Sequence, residues 1–217
     1  MTICAMLKSS GLKNRINGMS LWEIIQDSLE KRLELSVYSK GWETGMNIIK
    51  NPLCGRTFEY YSEDPLISGL MASSLSNGVS SNNSNKTVCF KHFCCNNQEN
   101  NRMKTTSNVS ERALHEIYLR GFKIAILNGS SKAIMTSYNK LNGIYTNSNK
   151  NLLDGYLRND LAFKGIIMTD WNDVAPDQAI GYEVINAGND IIMIGGKNIY
   201  NDLYDALNNN KLDKDAL

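Results

Sequence analysis

Short apolar runs bounded by polar residues recur along the chain: MNII at 46–49, TVCF at 87–90, AIMT at 133–136, GIIMT at 165–169 and DIIMI at 190–194. Runs this short and this uniformly apolar suit strands buried on both faces, as in a parallel sheet. Segments with helical spacing of apolar positions fill the intervals, at 21–38, 65–75, 110–127, 151–161 and 176–187, with a last one near 199–207. These are long enough to serve as crossovers, so the runs are predicted to pair in parallel. The alternation predicts an α/β fold of the (β/α)8 TIM-barrel kind, incomplete, with about five β/α units.

Local signals agree with this division. Asp64 before Pro65 can cap the first free amides of a helix, while proline occupies the first helical position, where its missing N–H costs nothing. Ser110 is placed to cap the next helix, another opens between Ser148 and Leu153, and Gly165 marks the break before the fourth run.

Composition narrows the class. A chain of 217 residues supports one domain with a sizeable core, somewhat short of the about 250 residues of a typical complete barrel. Lys plus Arg at 23 against Asp plus Glu at 22 gives a formal net charge of +1, so no summed field would draw the chain to nucleic acid or anionic lipid. No segment approaches the roughly 18 apolar residues of a membrane span, and the start lacks the basic-then-apolar layout of a signal peptide, which predicts a cytoplasmic protein. The five cysteines (Cys4, Cys54, Cys89, Cys94, Cys95) lack CxxC spacing, which predicts reduced thiols and no metal site. The asparagine runs at 82–85 and 208–210 carry no function that can be read.

In a β/α barrel the chemistry gathers at the carboxyl ends of the strands. Polar clusters follow four of the apolar runs: Gly55-Arg56 with Glu59, Lys91-His92, Ser137-Tyr138-Asn139, and Asp170-Trp171. Together they supply hydrogen-bond donors for hydroxyls, aromatic faces for a pyranose ring and a carboxylate, which is the chemistry of a sugar site. Each also has an ordinary use. Lys91-His92 can be a strand end with a hydrogen-bonded core histidine, Arg56 and Glu59 a simple ion pair, Asp170 a helix cap, and Tyr138 and Trp171 half-buried packing.

Five stretches change that balance: NPLCGRTFEYYSEDP (51–65), KHFCCNNQENNR (91–102), ERALHEIYLRGF (111–122), IMTSYNKLNG (134–143) and LLDGYLRNDLAFKGIIMTDW (152–171). In this order they closely resemble glycoside hydrolase family 3, the similarity running from about 45 to 196, and the NNQENNR form resembles the β-glucosidase branch. The resemblance implies hydrolysis of terminal β-D-glucosidic bonds by retaining double displacement. It implies Asp170 as nucleophile, Arg56, Lys91, His92 and Arg102 as ligands of sugar hydroxyls, and Met135, Tyr138 and Trp171 lining the pocket, with a β-glucoside or oligosaccharide as substrate and no cofactor. Three nearby cations would be expected to depress the pKa of Asp170.

A retaining enzyme needs a second carboxyl group about 5–5.5 Å from the nucleophile. The resemblance places that acid/base in a following α/β sandwich domain, absent from residues 1–217, so it is expected from outside this chain. Of the carboxylates near the motifs, Glu63, Glu99, Glu116 and Asp173, none is assigned the role. The family's early strands, and an Asp-Gly-Pro motif whose aspartate grips the sugar, have no counterpart before Leu21. The open edges of a partial barrel call for a second copy or a complementing chain to cover them. A glycan-binding module without turnover, or a degenerate fragment, is the alternative reading.

Overall fold

The structure is a computed structural model that describes residues 42–81, 86–174 and 178–213. Strand β1 (Trp42–Gly45) leads through a long loop to helix α1 (Pro65–Ser81) and strand β2 (Val88–Phe93). A two-residue strand β3 (Thr106–Ser107) precedes a helix that starts as α2 (Glu111–Ala113), widens into a π-helical stretch at Leu114–Tyr118 and continues as α3 (Arg120–Asn128). Then come β4 (Ala133–Thr136), β5 (Lys140–Leu141), β6 (Ile144–Tyr145), a π-helix at Asn151–Asp160, β7 (Ile166–Met168), α4 (Gly181–Ala187) and α5 (Lys197–Asn208).

The main sheet has the order β1-β2-β4-β7, every pair parallel, and a single bridge from Met168 to Ile191 begins a fifth position. An open run of parallel strands separated by helices is the incomplete barrel predicted from the sequence. The period-two alternation of each strand separates two faces. Val88, Phe90, Ile134 and Ile167, all at 0% exposure, pack with Phe122, Ala125, Leu153 and Leu157 of the helices in the largest apolar cluster. Burying a side chain of this size contributes about 1.5–3 kcal/mol. The other face carries Cys89, Ala133 and Met135 with half-buried Met168.

The caps form as the sequence suggests: Asp64 Oδ1 accepts the Leu66 N–H at 2.7 Å and Ser110 Oγ that of Ala113 at 3.3 Å. Helices α1 and α3 cross where two glycines meet. A Cβ on Gly69 would lie 2.7 Å from Ile124 Cβ and 2.8 Å from the Gly121 carbonyl oxygen. Backbone atoms cannot yield as a flexible side chain can, so Gly69→Ala is expected to cost about 1–3 kcal/mol of stability, read from chemical denaturation midpoints.

Several boundaries differ from expectation, each for a local reason. The first strand is 42–45 and not 46–49, because beyond Gly45 a side chain takes over from the main chain. The Met46 N–H still reaches the Lys91 carbonyl at 2.7 Å, but Asn47 then clasps His92 through Nδ2 to its carbonyl and Oδ1 from its N–H, both at 2.8 Å. The run at 190–194 likewise makes little ladder, since Asp190 Oδ2 accepts the Ile167 N–H at 2.7 Å. The segment expected at 110–127 is interrupted by π geometry, that at 151–161 is π-helical, and that at 176–187 is helical from Gly181. The helix expected at 21–38 lies outside the described residues, as does Cys4, while Cys54, Cys89, Cys94 and Cys95 are free thiols. Among the described residues, no helix is long and apolar enough to cross a membrane.

A second, small sheet of order β3-β5-β6 was not anticipated. Strands β5 and β6 form a hairpin closed by Asn142 (φ 50°) and Gly143 (φ 90°), the paired positive φ values of a two-residue turn matched to strand twist.

Candidate active site

Asp170 follows β7 by two residues and therefore points to the same face as Met168. The residue is 4% exposed; Oδ1 accepts the Trp171 N–H at 2.7 Å, and Oδ2 has no hydrogen-bond partner among the described residues. Trp171 itself is 46% exposed, an aromatic face beside the acid. Tyr138, after β4, is buried, donates its hydroxyl to the Trp171 carbonyl at 2.7 Å, and carries the Arg102 guanidinium 4.5 Å above its ring. Met135 is buried on the same sheet face. All eight residues singled out from the sequence thus gather around one end of the sheet.

His92 comes within 3.5 Å of Asp170 Oδ2 through Nε2, but this is no ion pair. Arg56 Nη1 lies 2.7 Å from the same Nε2 and can only donate, so Nε2 must be the acceptor. The ring proton then belongs on Nδ1, 3.5 Å from the Tyr60 hydroxyl, an assignment made from the hydrogen-bond network. Burial first, then the charges of Arg56, Lys91 and Arg102, hold the imidazole pKa well below its ordinary value, so His92 is neutral.

The cations are less free than their sequence suggests. Arg56 Nη1 pairs with Glu59 at 2.7 Å and Nε with Glu99 at 3.1 Å; Arg102 pairs with Glu99 at 2.6 Å; Lys91 pairs with Glu43 at 2.5 Å and lies 3.9 Å from Glu59. Three positive charges therefore stand against three negative ones. This overturns the expected depression of the Asp170 pKa, which is instead raised. Burial dominates, and the Trp171 N–H, the Tyr138 hydroxyl, Arg56 and Lys91 only partly oppose it. Cations neutralised by their own carboxylates have little field left for Asp170.

Sequence reasoning missed Glu43 altogether and left Glu99 without a role. Among the other carboxylates considered, Glu116 pairs with Arg112 on an exposed helix face and Glu63 is exposed. A cavity of about 550 Å³ lined by Lys50, Asn97, Gln98, Thr105 and Tyr118 among others does not include Asp170.

Asp173, one turn beyond Asp170, is 1% exposed with both carboxyl oxygens lacking a hydrogen-bond partner. Burial, helped by the charge of Asp170, raises its pKa well above the ordinary value, against a weaker opposing contact from Asn147. A folded pKa above the unfolded one means the folded state holds the proton longer, so this group lowers stability as pH rises above about 4, the unfolded value. An Asp173→Asn chain escapes that loss. It is expected to be more stable than the parent by about 1–3 kcal/mol at neutral pH, with the gap closing below the unfolded pKa, in thermal melts taken across pH.

Comparison with known proteins gives this arrangement a context. Residues 45–217 match the glycosyl hydrolase family 3 N-terminal domain. The chain is 45% identical over 156 residues to a β-glucosidase of Ruminococcus albus, covering 69% of this chain and 16% of that protein. It is 42% identical over 153 residues to β-glucosidase A of Butyrivibrio fibrisolvens, covering 70% and 18% respectively. Among solved structures, β-glucosidase 3B of Thermotoga neapolitana in complex with glucose superposes with a TM-score of 0.75 at 46% identity, over 81% of this chain and 25% of that one. A β-glucosidase of Kluyveromyces marxianus in complex with glucose gives a TM-score of 0.74 at 32% identity, over 84% and 23%. The chain spans less than a fifth of the length of the two curated relatives.

Proposed function

The chain belongs to glycosyl hydrolase family 3, and from that premise we propose that it carries the nucleophile half of a retaining β-glucosidase site. Asp170 attacks the anomeric carbon of a terminal β-D-glucoside, and the acid/base comes from sequence outside this chain. The observation that carries the reading is the state of the Asp170 carboxylate. One oxygen is fixed by the Trp171 N–H, the other is buried without a hydrogen bond, and Trp171 offers an exposed ring beside it. A carboxylate so held has one oxygen oriented and one left for bond formation.

In double displacement, Asp170 Oδ2 bonds to the anomeric carbon as the glycosidic oxygen leaves with a proton from the acid. Water, giving a proton back to that same acid/base group, then bonds to the anomeric carbon as its bond to Asp170 Oδ2 breaks, which releases the sugar and frees the carboxylate. Arg56, Lys91 and Arg102 hold ring hydroxyls, His92 orients the Arg56 guanidinium by accepting from its Nη1, and Met135, Tyr138 and Trp171 pack the ring. Contacts that tighten as positive charge develops on the sugar lower the barrier.

The test is incubation with a 2-deoxy-2-fluoro-β-glucoside bearing a good leaving group, followed by peptide mass mapping. Such a leaving group needs little protonation, so the first step does not depend on the acid. A glycosyl adduct on Asp170 is the expected result; a folded chain labelled elsewhere or nowhere overturns the reading.

A further inference from the structure

The strand that sequence reading misplaced brings a third kind of group to this face. On β1 Glu43 and Gly45 lie on the face opposite that of Thr44, and the register pairs Glu43 with Cys89 and Gly45 with Lys91. Cys89 belongs to the small cluster with Ala133 and Met135, so Glu43 rises from the same face as Lys91, Met135 and Asp170. The surroundings of the buried Cys89 thiol agree: after burial itself, Glu43, Lys91 and Asp170 are the charges that act on it.

Glu43 Oε2 lies 2.5 Å from Lys91 Nζ. The Glu43 side chain is 44% exposed while that of Lys91 is 13% exposed, so the carboxylate is the outer member of the pair. Its second oxygen, Oε1, accepts from no described residue. Lys91 has three N–H donors; one is spent on Glu43, and Glu59 at 3.9 Å is beyond hydrogen-bond range, so donors remain for a ligand. A donor and an acceptor locked side by side can bind two neighbouring hydroxyls at once, the ammonium giving to one oxygen and the carboxylate taking the proton of the next. An ammonium alone accepts nothing and cannot fix the direction of a hydroxyl hydrogen.

We propose that Glu43 is a specificity-determining residue of this site, which with Lys91 grips an adjacent pair of ring hydroxyls on the glucoside. It rests on the reading of Asp170 and its neighbours as a sugar site. The pair requires two hydroxyls on vicinal carbons at the spacing of one salt bridge. A sugar lacking either one leaves a hydrogen-bonding atom of the pair without its ligand partner, an outcome that costs affinity at a polar site.

Calorimetric titration of the full chain with D-glucose and with its single-deoxy analogues tests this, using Glu43→Ala and Glu43→Gln beside the parent. Each variant is first shown to melt as the parent does. Loss of a charged hydrogen-bond partner should weaken glucose binding by roughly tenfold to a hundredfold in Glu43→Ala, and by less in Glu43→Gln, whose amide oxygen still accepts. The decisive result is coupling: the deoxy sugar missing the hydroxyl that Glu43 takes should bind Glu43→Ala as well as glucose does. A merely structural role would weaken all these sugars equally. Unchanged glucose affinity in Glu43→Ala, or losses that add for every deoxy sugar, overturns the proposal while Asp170 labelling stands. A folded parent chain that binds no glucose and takes no label overturns both readings.

Discussion

An Asp170→Asn chain is expected to take no label from the activated fluoro-glucoside, with the rate of adduct formation down by about 10⁴ or more, the scale seen when a nucleophile is removed. The substitution keeps the size of the side chain and an oxygen for the Trp171 N–H, so the fold should persist and the loss should be chemical. The parent's labelling rate should also carry a pH signature. Only the ionised carboxylate attacks, and burial raises the Asp170 pKa. The rate should therefore climb with pH through an inflection above the ordinary carboxylate range, near 4, and flatten beyond it. An inflection below the ordinary value would mean that the neighbouring cations govern Asp170 after all. Mass spectrometry of timed, quenched samples across pH gives both results.

The second large effect is expected at Arg56, which holds the site together more than any other side chain. It bonds Glu59 at 2.7 Å, Glu99 at 3.1 Å and His92 Nε2 at 2.7 Å. Removing it takes from Glu59 its closest partner and from Glu99 one of two, both side chains being only 21–22% exposed. Stranding partly buried charges costs more than the intact pair contributes, so Arg56→Ala should lose about 3 kcal/mol of stability. His92 would also lose the donor that sets its tautomer. Equilibrium denaturation should show the stability loss, and glucose titration a loss of affinity beyond what a lower folded fraction explains. Arg56→Lys should recover little, because one ammonium cannot reach three acceptors in the plane of a guanidinium.

What the sequence disclosed depended on how far each signal extends along the chain. Runs such as Ala133–Thr136 are apolar because both sheet faces are buried there, and the strand falls where the pattern says. At 46–49 the same pattern marks burial without a ladder, since Asn47 makes the contacts that main chain would otherwise make. Placing the strand four residues late hid Glu43, whose partnership with Lys91 follows directly from the register of β1 on β2. The Asn142-Gly143 hairpin was missed because its two-residue strands are too short to show the alternation that would have given the turn dipeptide its meaning.

That the candidate site residues lie close together could be read from the sequence, whereas their ion pairing could not. Asp170, His92 and Tyr138 could be placed because polar residues directly after a strand share its carboxyl end. Their charge environment could not, since Glu43 and Glu99 reach Lys91 and Arg56 across 48 and 43 positions of the chain, and pairs formed at long range leave no local mark.

The balance of three guanidinium or ammonium groups against three glutamates bears on how a ligand arrives. Such an array has no net monopole to project into solvent, so it cannot draw an approaching molecule from beyond a Debye length, about 8 Å at physiological salt. Capture of an uncharged sugar then proceeds by undirected diffusion, indifferent to added electrolyte. An acidic sugar would meet no surplus of positive charge to reward it, and the discrimination this face exerts is exercised only at contact, hydroxyl by hydroxyl.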